Sequence, residues 1–140
     1  MRMNLIALAV DNISELLVKI IEFTQTRQKT LFQNINNIHC PGFEPKDMAV
    51  EEFSVLLHEA INEHAQNRRL VLRDTENFKF GVNGIFKAKP LVDGYAKELL
   101  DEDPDEYMGL QINKLLENSL NQRVAAEMLK RRQEAILSPL

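Results

Sequence analysis

The sequence of 140 residues has no tryptophan, one cysteine, and only five glycines and five prolines. A single cysteine, Cys40, excludes an intramolecular disulfide and a multi-cysteine metal site. Aromatic residues make up 6% of the chain, and this scarcity favours helices over a sandwich of aromatic-rich strands. Hydrophobic and charged residues, at 44% and 27%, lie near the globular average. The length suits a single domain, 1–140.

Two classes of partner are disfavoured by what is missing. No run of 18 uncharged apolar residues occurs, so we expect no transmembrane helix and no direct membrane insertion. The net charge is −4, and nucleic-acid binding needs clustered lysine and arginine, so we expect no nucleic-acid partner. The one basic cluster, 130–132, is flanked by Glu127 and Glu134. We interpret it as a solvated or ion-paired helix face.

Catalytic and metal-binding patterns are also missing. His58 and Glu59 begin a zinc-protease pattern, but no histidine follows four residues after the first, and His64 would lie on another face of the helix. Nothing near Cys40 resembles an orienting group or an oxyanion loop, so we expect a packed thiol and not a nucleophile. The acidic run 101–106 lacks the spaced ligands and central glycine of a calcium loop. The sequence therefore predicts neither an enzyme nor a cofactor.

The clearest pattern is a long N-terminal helix, predicted over about 5–38 and assigned to the segment 1–40. Its apolar residues alternate at intervals of four and three, which is the spacing of a coiled-coil seam. Thr24 and Arg27 interrupt the seam, so we expect solvent or polar neighbours there. Pro41 should end the helix. The predicted packing residues of this helix are Ile6, Val10, Ile13, Leu17, Ile20 and Leu31.

The middle segment, 41–106, begins with a Pro-Gly pair that suits the central positions of a type II turn. Asp47 is predicted to cap a second helix that runs to about Arg68. Over 75–97 the pattern weakens. The Asn-Gly pair at 83–84 stands between alternating apolar residues, which predicts a small hairpin.

A second long helix is predicted in the C-terminal segment, 107–140. We expect Asp103 to cap it, Pro104 to take its first position and Glu106 to complete a capping box, and we expect its end near Leu137. Burying a leucine or isoleucine is worth roughly 1.5–3 kcal/mol, so the two long apolar faces should pack against each other or against a partner. The predicted packing residues of this helix are Ile112, Leu116, Leu120, Val124 and Met128.

These elements predict a mainly α fold in one domain. The long N- and C-terminal helices pack as a coiled coil or helical bundle, with a third, shorter helix and a small β-hairpin between them.

One stretch, 34–43, is more specific than its periodicity. It is similar to the N-terminal signature of bacterial flagellar axial proteins, in which Asn-Ile-Ala-Asn and two variable positions lead to Thr-Pro-Gly and an aromatic residue. Asn36 replaces the usual alanine and Cys40 the usual threonine. The matching residues are Asn34, Ile35, Asn37, Pro41, Gly42 and Phe43.

The resemblance extends beyond this signature. The start of the second predicted helix at Asp47 and the segment 116–129 resemble the corresponding segments of the family, whereas the likeness is weak over 73–100. Within the family the chain looks like the rod proteins of the proximal rod, because so little sequence lies between its terminal helices.

The resemblance implies a structural subunit of the flagellar basal-body rod, assembled through the terminal helices of neighbouring subunits. Its partners would be copies of itself, other rod and basal-body proteins and the flagellar type III export apparatus. Such export uses no cleaved signal peptide and places the subunit in the periplasmic rod. Residues 1–10 begin like a signal peptide but lack a small-residue cleavage site. The alternative is a cytosolic secretion chaperone or regulatory module that binds a partner helix.

Overall fold

The computed structural model describes residues 11–81 and 85–137. The helices in this part of the chain are α1 (Asn12–Asn36), α2 (Val50–Asn67), α3 (Gly94–Glu102) and α4 (Pro104–Leu137). The strands are β1 (Lys46–Asp47), β2 (Phe78–Lys79), β3 (Lys87–Ala88) and β4 (Leu91–Val92). The prediction of a mainly helical fold, with long terminal helices and a small hairpin between them, is confirmed.

The first helix begins later than predicted. Asp11 has an extended backbone, with φ −74° and ψ 104°, and its carboxylate accepts a hydrogen bond from the amide of Ile13. It is therefore the N-cap of α1, and the continuous helix predicted from residue 5 is wrong at Asp11. Residues 1–10, which include the predicted packing residues Ile6 and Val10, lie outside the described part of the chain.

The hydrophobic core lies where α1 and α2 meet the hairpin formed by β2 and β3. Phe23 of α1 stacks on Phe53 of α2 with ring centroids 4.1 Å apart and an interplanar angle of 6°. Phe78 of β2 packs against both rings, at centroid distances of 5.9 and 5.4 Å. The few aromatic residues are thus concentrated at this junction. The buried residues of the core are Phe23, Met48, Phe53, Leu56, Phe78 and Phe80.

The predicted hairpin is confirmed, but its connection is not a two-residue turn. Phe78 pairs with Ala88 and Lys79 with Lys87 in antiparallel register. The connection is therefore longer than an Asn-Gly turn requires. Residues 82–84, which contain that pair, lie outside the described part.

The predicted role of Asp47 as the cap of the second helix is wrong. Asp47 lies in β1, and α2 begins after Ala49, which makes no side-chain cap hydrogen bond. The carboxylate of Asp47 instead binds Arg27, with 2.9 Å between Nε and Oδ1. The predicted end of α2 is close to the observed one, because Arg68 adopts a left-handed conformation with φ 56° as the C-cap.

Two elements were not predicted. β1 pairs antiparallel with β4, so that Lys46 lies opposite Val92, and two residues are too few for alternation to reveal a strand. The nine-residue helix α3 follows, with Asp93 as its N-cap. This pairing places the start of α3 beside the end of the flagellar-type signature.

The start of α4 agrees with the sequence in part. The carboxylate of Asp103 accepts a hydrogen bond from the amide of Glu106 at 3.1 Å, and Pro104 occupies the first helical position, so both of these predictions are confirmed. The amide of Asp103 donates to the carbonyl of Leu99 at 2.8 Å. The predicted capping box is therefore wrong, because α3 already binds the amide that Glu106 would use.

The phenylalanine stack yields a stability prediction. Phe23→Ala should lower the free energy of unfolding by about 3–5 kcal/mol, because it removes a buried ring and leaves a cavity. Phe32→Ala is the matched control on the same helix, since Phe32 is 46% exposed, and should change stability by no more than about 0.5 kcal/mol. Urea unfolding followed by circular dichroism measures both. Equal effects of the two substitutions would contradict this description of the core.

Candidate assembly interface

Helices α1 and α4 run antiparallel, and the contacts that align them are polar. The direct hydrogen-bonded pairs are Asn34 with Gln111 at 3.0 Å, the Thr24 carbonyl with Asn118 at 2.8 Å, and Asp11 with Arg132 at 2.9 Å. We call this set of contacts the polar seam. On α4 its members fall seven residues apart, with the buried Ala125 between Asn118 and Arg132. One heptad position of α4 is therefore polar or small at every level.

This arrangement corrects the predicted packing of the two apolar faces. On α1, Leu17 and Leu31 are buried, and Ile13 and Ile20 are half-buried. On α4, all five predicted packing residues are between 46% and 65% exposed. The expectation that the two faces meet within one chain is wrong, because polar side chains of α4 occupy the side that contacts α1. The exposed residues, here called the apolar ridge, are Ile112, Leu116, Leu120, Val124 and Met128.

Part of the apolar ridge lines an open groove between α1, α2 and α4. The groove has a volume of about 580 Å³, and Phe23 and Phe53 of the core also line it. It is therefore an apolar recess of the size in which proteins bind ligands. The aliphatic residues along its walls are Ile13, Leu16, Leu17 and Ile20 of α1, Val50, Leu57 and Ile61 of α2, and Leu120, Val124 and Met128 of α4.

Asn34, the first residue of the signature, joins three elements. Its side-chain amide donates to the carbonyl of Lys46 at 2.7 Å, and its Oδ1 accepts from the amide of Lys46 at 3.0 Å. The same amide nitrogen donates to Gln111 Oε1 of α4. Only an asparagine-like side chain can donate and accept at this site. Asn34 therefore fixes both β1 and α4 to the end of α1.

Tyr107 of α4 completes this contact. Its hydroxyl donates to the backbone carbonyl of Asn34 at 2.7 Å. Burial, and then the charge of Asp93, raise the pKa of Tyr107 to about 12. The hydroxyl therefore remains a hydrogen-bond donor across the physiological range.

The rest of the signature forms the predicted turn. α1 ends at Asn36, two residues before the predicted end, and Asn37 is its C-cap. Gly42 has φ +75°, and the amide of Phe43 donates to the carbonyl of Cys40 at 3.1 Å. This is the type II arrangement expected from the Pro-Gly pair, so the turn is confirmed. Ile35 is half-buried and Pro41 is exposed.

A cluster of charges lies under the signature. Arg27 donates through Nε and Nη2 to the two carboxylate oxygens of Asp47, at 2.9 and 3.1 Å. Lys114 of α4 donates to Asp47 at 3.0 Å and to Asp93 at 2.8 Å. The polar interruption of the seam at Thr24 and Arg27 is thus buried against polar neighbours, which was one of the two predicted environments.

The ionisation of this cluster follows from its geometry. Burial favours the neutral form of Asp47, but the hydrogen bonds and charges of Arg27 and Lys114 outweigh it and hold its pKa below the ordinary 3.8. Burial likewise opposes the charge of Lys114, but the hydrogen bonds and charges of Asp93 and Asp47 raise its pKa above 10.5. Both groups are therefore charged at neutral pH, where each stabilises the other.

The sequence alone did not reveal Gln111, Lys114 and Asn118 as contact residues. Their signal is the heptad interval from Gln111 to Asn118 on the side of α4 away from the apolar ridge. It escapes notice because an apolar stripe is ordinarily assigned to the buried side of a helix.

The residues considered for chemistry do not converge. The His58 ring nitrogen lies 2.9 Å from the carbonyl of Ser54, and that of His64 lies 3.1 Å from Asn12. Cys40 is exposed, so the prediction of a packed thiol is wrong. Within 11–81 and 85–137, no group of three or more His, Cys, Asp or Glu side chains is placed to hold a metal ion.

The helices within the same ranges also lack the combination of length and apolarity needed to cross a membrane. Comparison of the chain with protein-family models, curated proteins and solved structures gives no match. The fold class and the polar seam are therefore established from this chain alone.

The charge cluster yields a second stability prediction. Asp47→Ala should lower the free energy of unfolding by about 3–5 kcal/mol, because it leaves Arg27, whose side chain is 6% exposed, without its counter-charge. Glu44→Ala is the control, since it breaks an exposed ion pair with Lys97 in the same loop and should have little effect. Urea unfolding at pH 7 compares the two. If Asp47→Ala is as mild as the control, the cluster does not stabilise the fold.

The lowered pKa of Asp47 predicts how this stabilisation depends on pH. A carboxylate whose pKa is lower in the folded state stabilises the protein above its unfolded pKa, near 3.8, and loses that effect as pH falls through the folded value. The difference in free energy of unfolding between wild type and Asp47→Asn should therefore be largest near pH 7 and shrink below about pH 4. Urea titrations at a series of pH values measure it, and a constant difference would contradict the assignment.

Proposed function

We propose that this chain is a structural subunit of the bacterial flagellar basal-body rod. The observation that carries the proposal is the apolar ridge of α4, which stays exposed because polar residues fill the contact with α1. Apolar side chains at every fourth position of a long helix are a surface for another helix. A subunit with such a surface is suited to assembly with other chains.

The flagellar part of the proposal rests on the signature. Asn34 and Gly42 occupy matching positions, and the structure gives each a local role, Asn34 as the link between α1, β1 and α4 and Gly42 in the turn. These roles explain why a subunit built on paired terminal helices needs these residue types. They support the resemblance without depending on it.

The proposed partners follow from this class of protein. They are copies of the chain, other rod and basal-body proteins, and the flagellar type III export apparatus, which would deliver it to the periplasmic rod without a cleaved signal peptide. A ridge that meets a different surface on the next subunit makes a heterologous contact, and such contacts generate open, rod-like assemblies. The function is mechanical, with no reaction and no cofactor.

A helical secretion chaperone or regulatory module is the second candidate. The groove between α1, α2 and α4 favours it, because an apolar recess between helices can hold a partner helix. Cell fractionation separates the candidates. A rod subunit should copurify with basal bodies, whereas a chaperone should remain in the soluble fraction.

The ridge provides the direct test. Leu116 is 65% exposed, so Leu116→Asp should leave the fold intact while placing a charge in a buried subunit contact. We expect loss of the chain from purified basal bodies and loss of swimming. Val55→Asp is the matched control, because Val55 is 55% exposed on α2 and lies outside both ridge and groove; it should assemble normally. Wild-type incorporation of Leu116→Asp would overturn the proposal.

A further inference from the structure

We propose that residues 1–10 of this chain fold back into the groove between α1, α2 and α4 and cover it in the unassembled subunit. The inference concerns the isolated chain and goes beyond the proposed rod function. Its basis is the match between the groove and the segment that immediately precedes α1.

The composition of the segment suits the groove. Eight of its ten residues are apolar, and Arg2 is its only charged side chain. The groove walls are aliphatic along most of their length, with residues such as Leu57, Leu120 and Val124. Apolar surface on both sides gains by leaving water, so contact between them is favourable.

The backbone at Asp11 directs the chain away from the axis of α1. Its ψ of 104° is outside the helical range, so the preceding residue does not continue α1. Asp11 is also held in place, since its carboxylate binds Ser14 at 2.6 Å and Arg132 at 2.9 Å. The chain therefore enters from a fixed point, at the end of the groove where Ile13 and Met128 line it.

The length of the segment is also sufficient. The α1 wall of the groove extends from Ile13 to Arg27, about 21 Å at 1.5 Å per residue. Ten residues span about 15 Å as a helix and about 33 Å when extended. Either conformation covers a large part of the groove.

The covalent link makes occupation by the chain's own segment the favoured outcome. A short link gives an effective concentration on the order of millimolar, so a second copy in dilute solution competes poorly. The groove would then be closed in the monomer, with Leu120, Val124 and Met128 covered. Ile112 and Leu116 lie outside the groove and would remain available.

Cysteine cross-linking tests the inference. In a Cys40→Ser background, Ile6→Cys is combined with Val124→Cys in the groove, and in the control chain with Val55→Cys. Val124 and Val55 are 50% and 55% exposed, so the two sites are equally accessible. Val124 lies eight residues along α4 from Arg132, about 12 Å, and Ile6 lies about 8–17 Å from Asp11 according to conformation. Both full-length chains are treated at low concentration with a short bifunctional maleimide.

We expect an intramolecular cross-link in the Val124 chain, identified by intact mass, and its loss in the Val55 chain. Equal yields from both chains, or no cross-link in either while circular dichroism shows the native fold, would overturn the inference. Cross-linked dimers would overturn it in favour of a segment that docks on a second copy. None of these outcomes alters the Leu116→Asp test of assembly, because Leu116 is not part of the groove.

Discussion

The buried carboxylate of Asp47 is the point on which the rest of the structure depends. It lies in β1, binds Arg27 of α1 and shares Lys114 of α4 with Asp93. A buried charge is tolerated only where partners surround it, so the three elements must meet at one place. That requirement fixes where α4 lies along α1 and which of its sides faces inward.

The polar seam selects one alignment of the helices and gives up some stability in doing so. Gln111 Nε2 and Asn118 Oδ1 are buried and have no hydrogen-bond partner within the described chain, and such atoms cost about 1–3 kcal/mol each. An apolar seam would pack in several registers, whereas polar groups at fixed levels match in one. Specific alignment, and the outward position of the apolar ridge that follows from it, are the result.

The sequence predicts those features whose cause is local. The Pro-Gly turn, the Asp103 cap and the extent of α4 depend on neighbouring residues and are confirmed. The orientation of α4 depends on partners far away in sequence, such as Asp11 for Arg132, and hydrophobic spacing assigned its buried side incorrectly. Asp47 failed for the same reason, because a carboxylate that could cap a helix also suits a buried arginine. β1 and β4 are too short to leave a pattern.

The spacing of the apolar ridge has a geometric consequence of its own. Each step of four residues turns about 40° further around a helix, so from Ile112 to Met128 the ridge rotates by about 160°. Its two ends therefore point in nearly opposite directions. Met128 faces the groove beside α1 and α2, while Ile112 faces away from them. One flat surface cannot cover the whole ridge, and a single helix thus carries two separate faces, each available to a different neighbour.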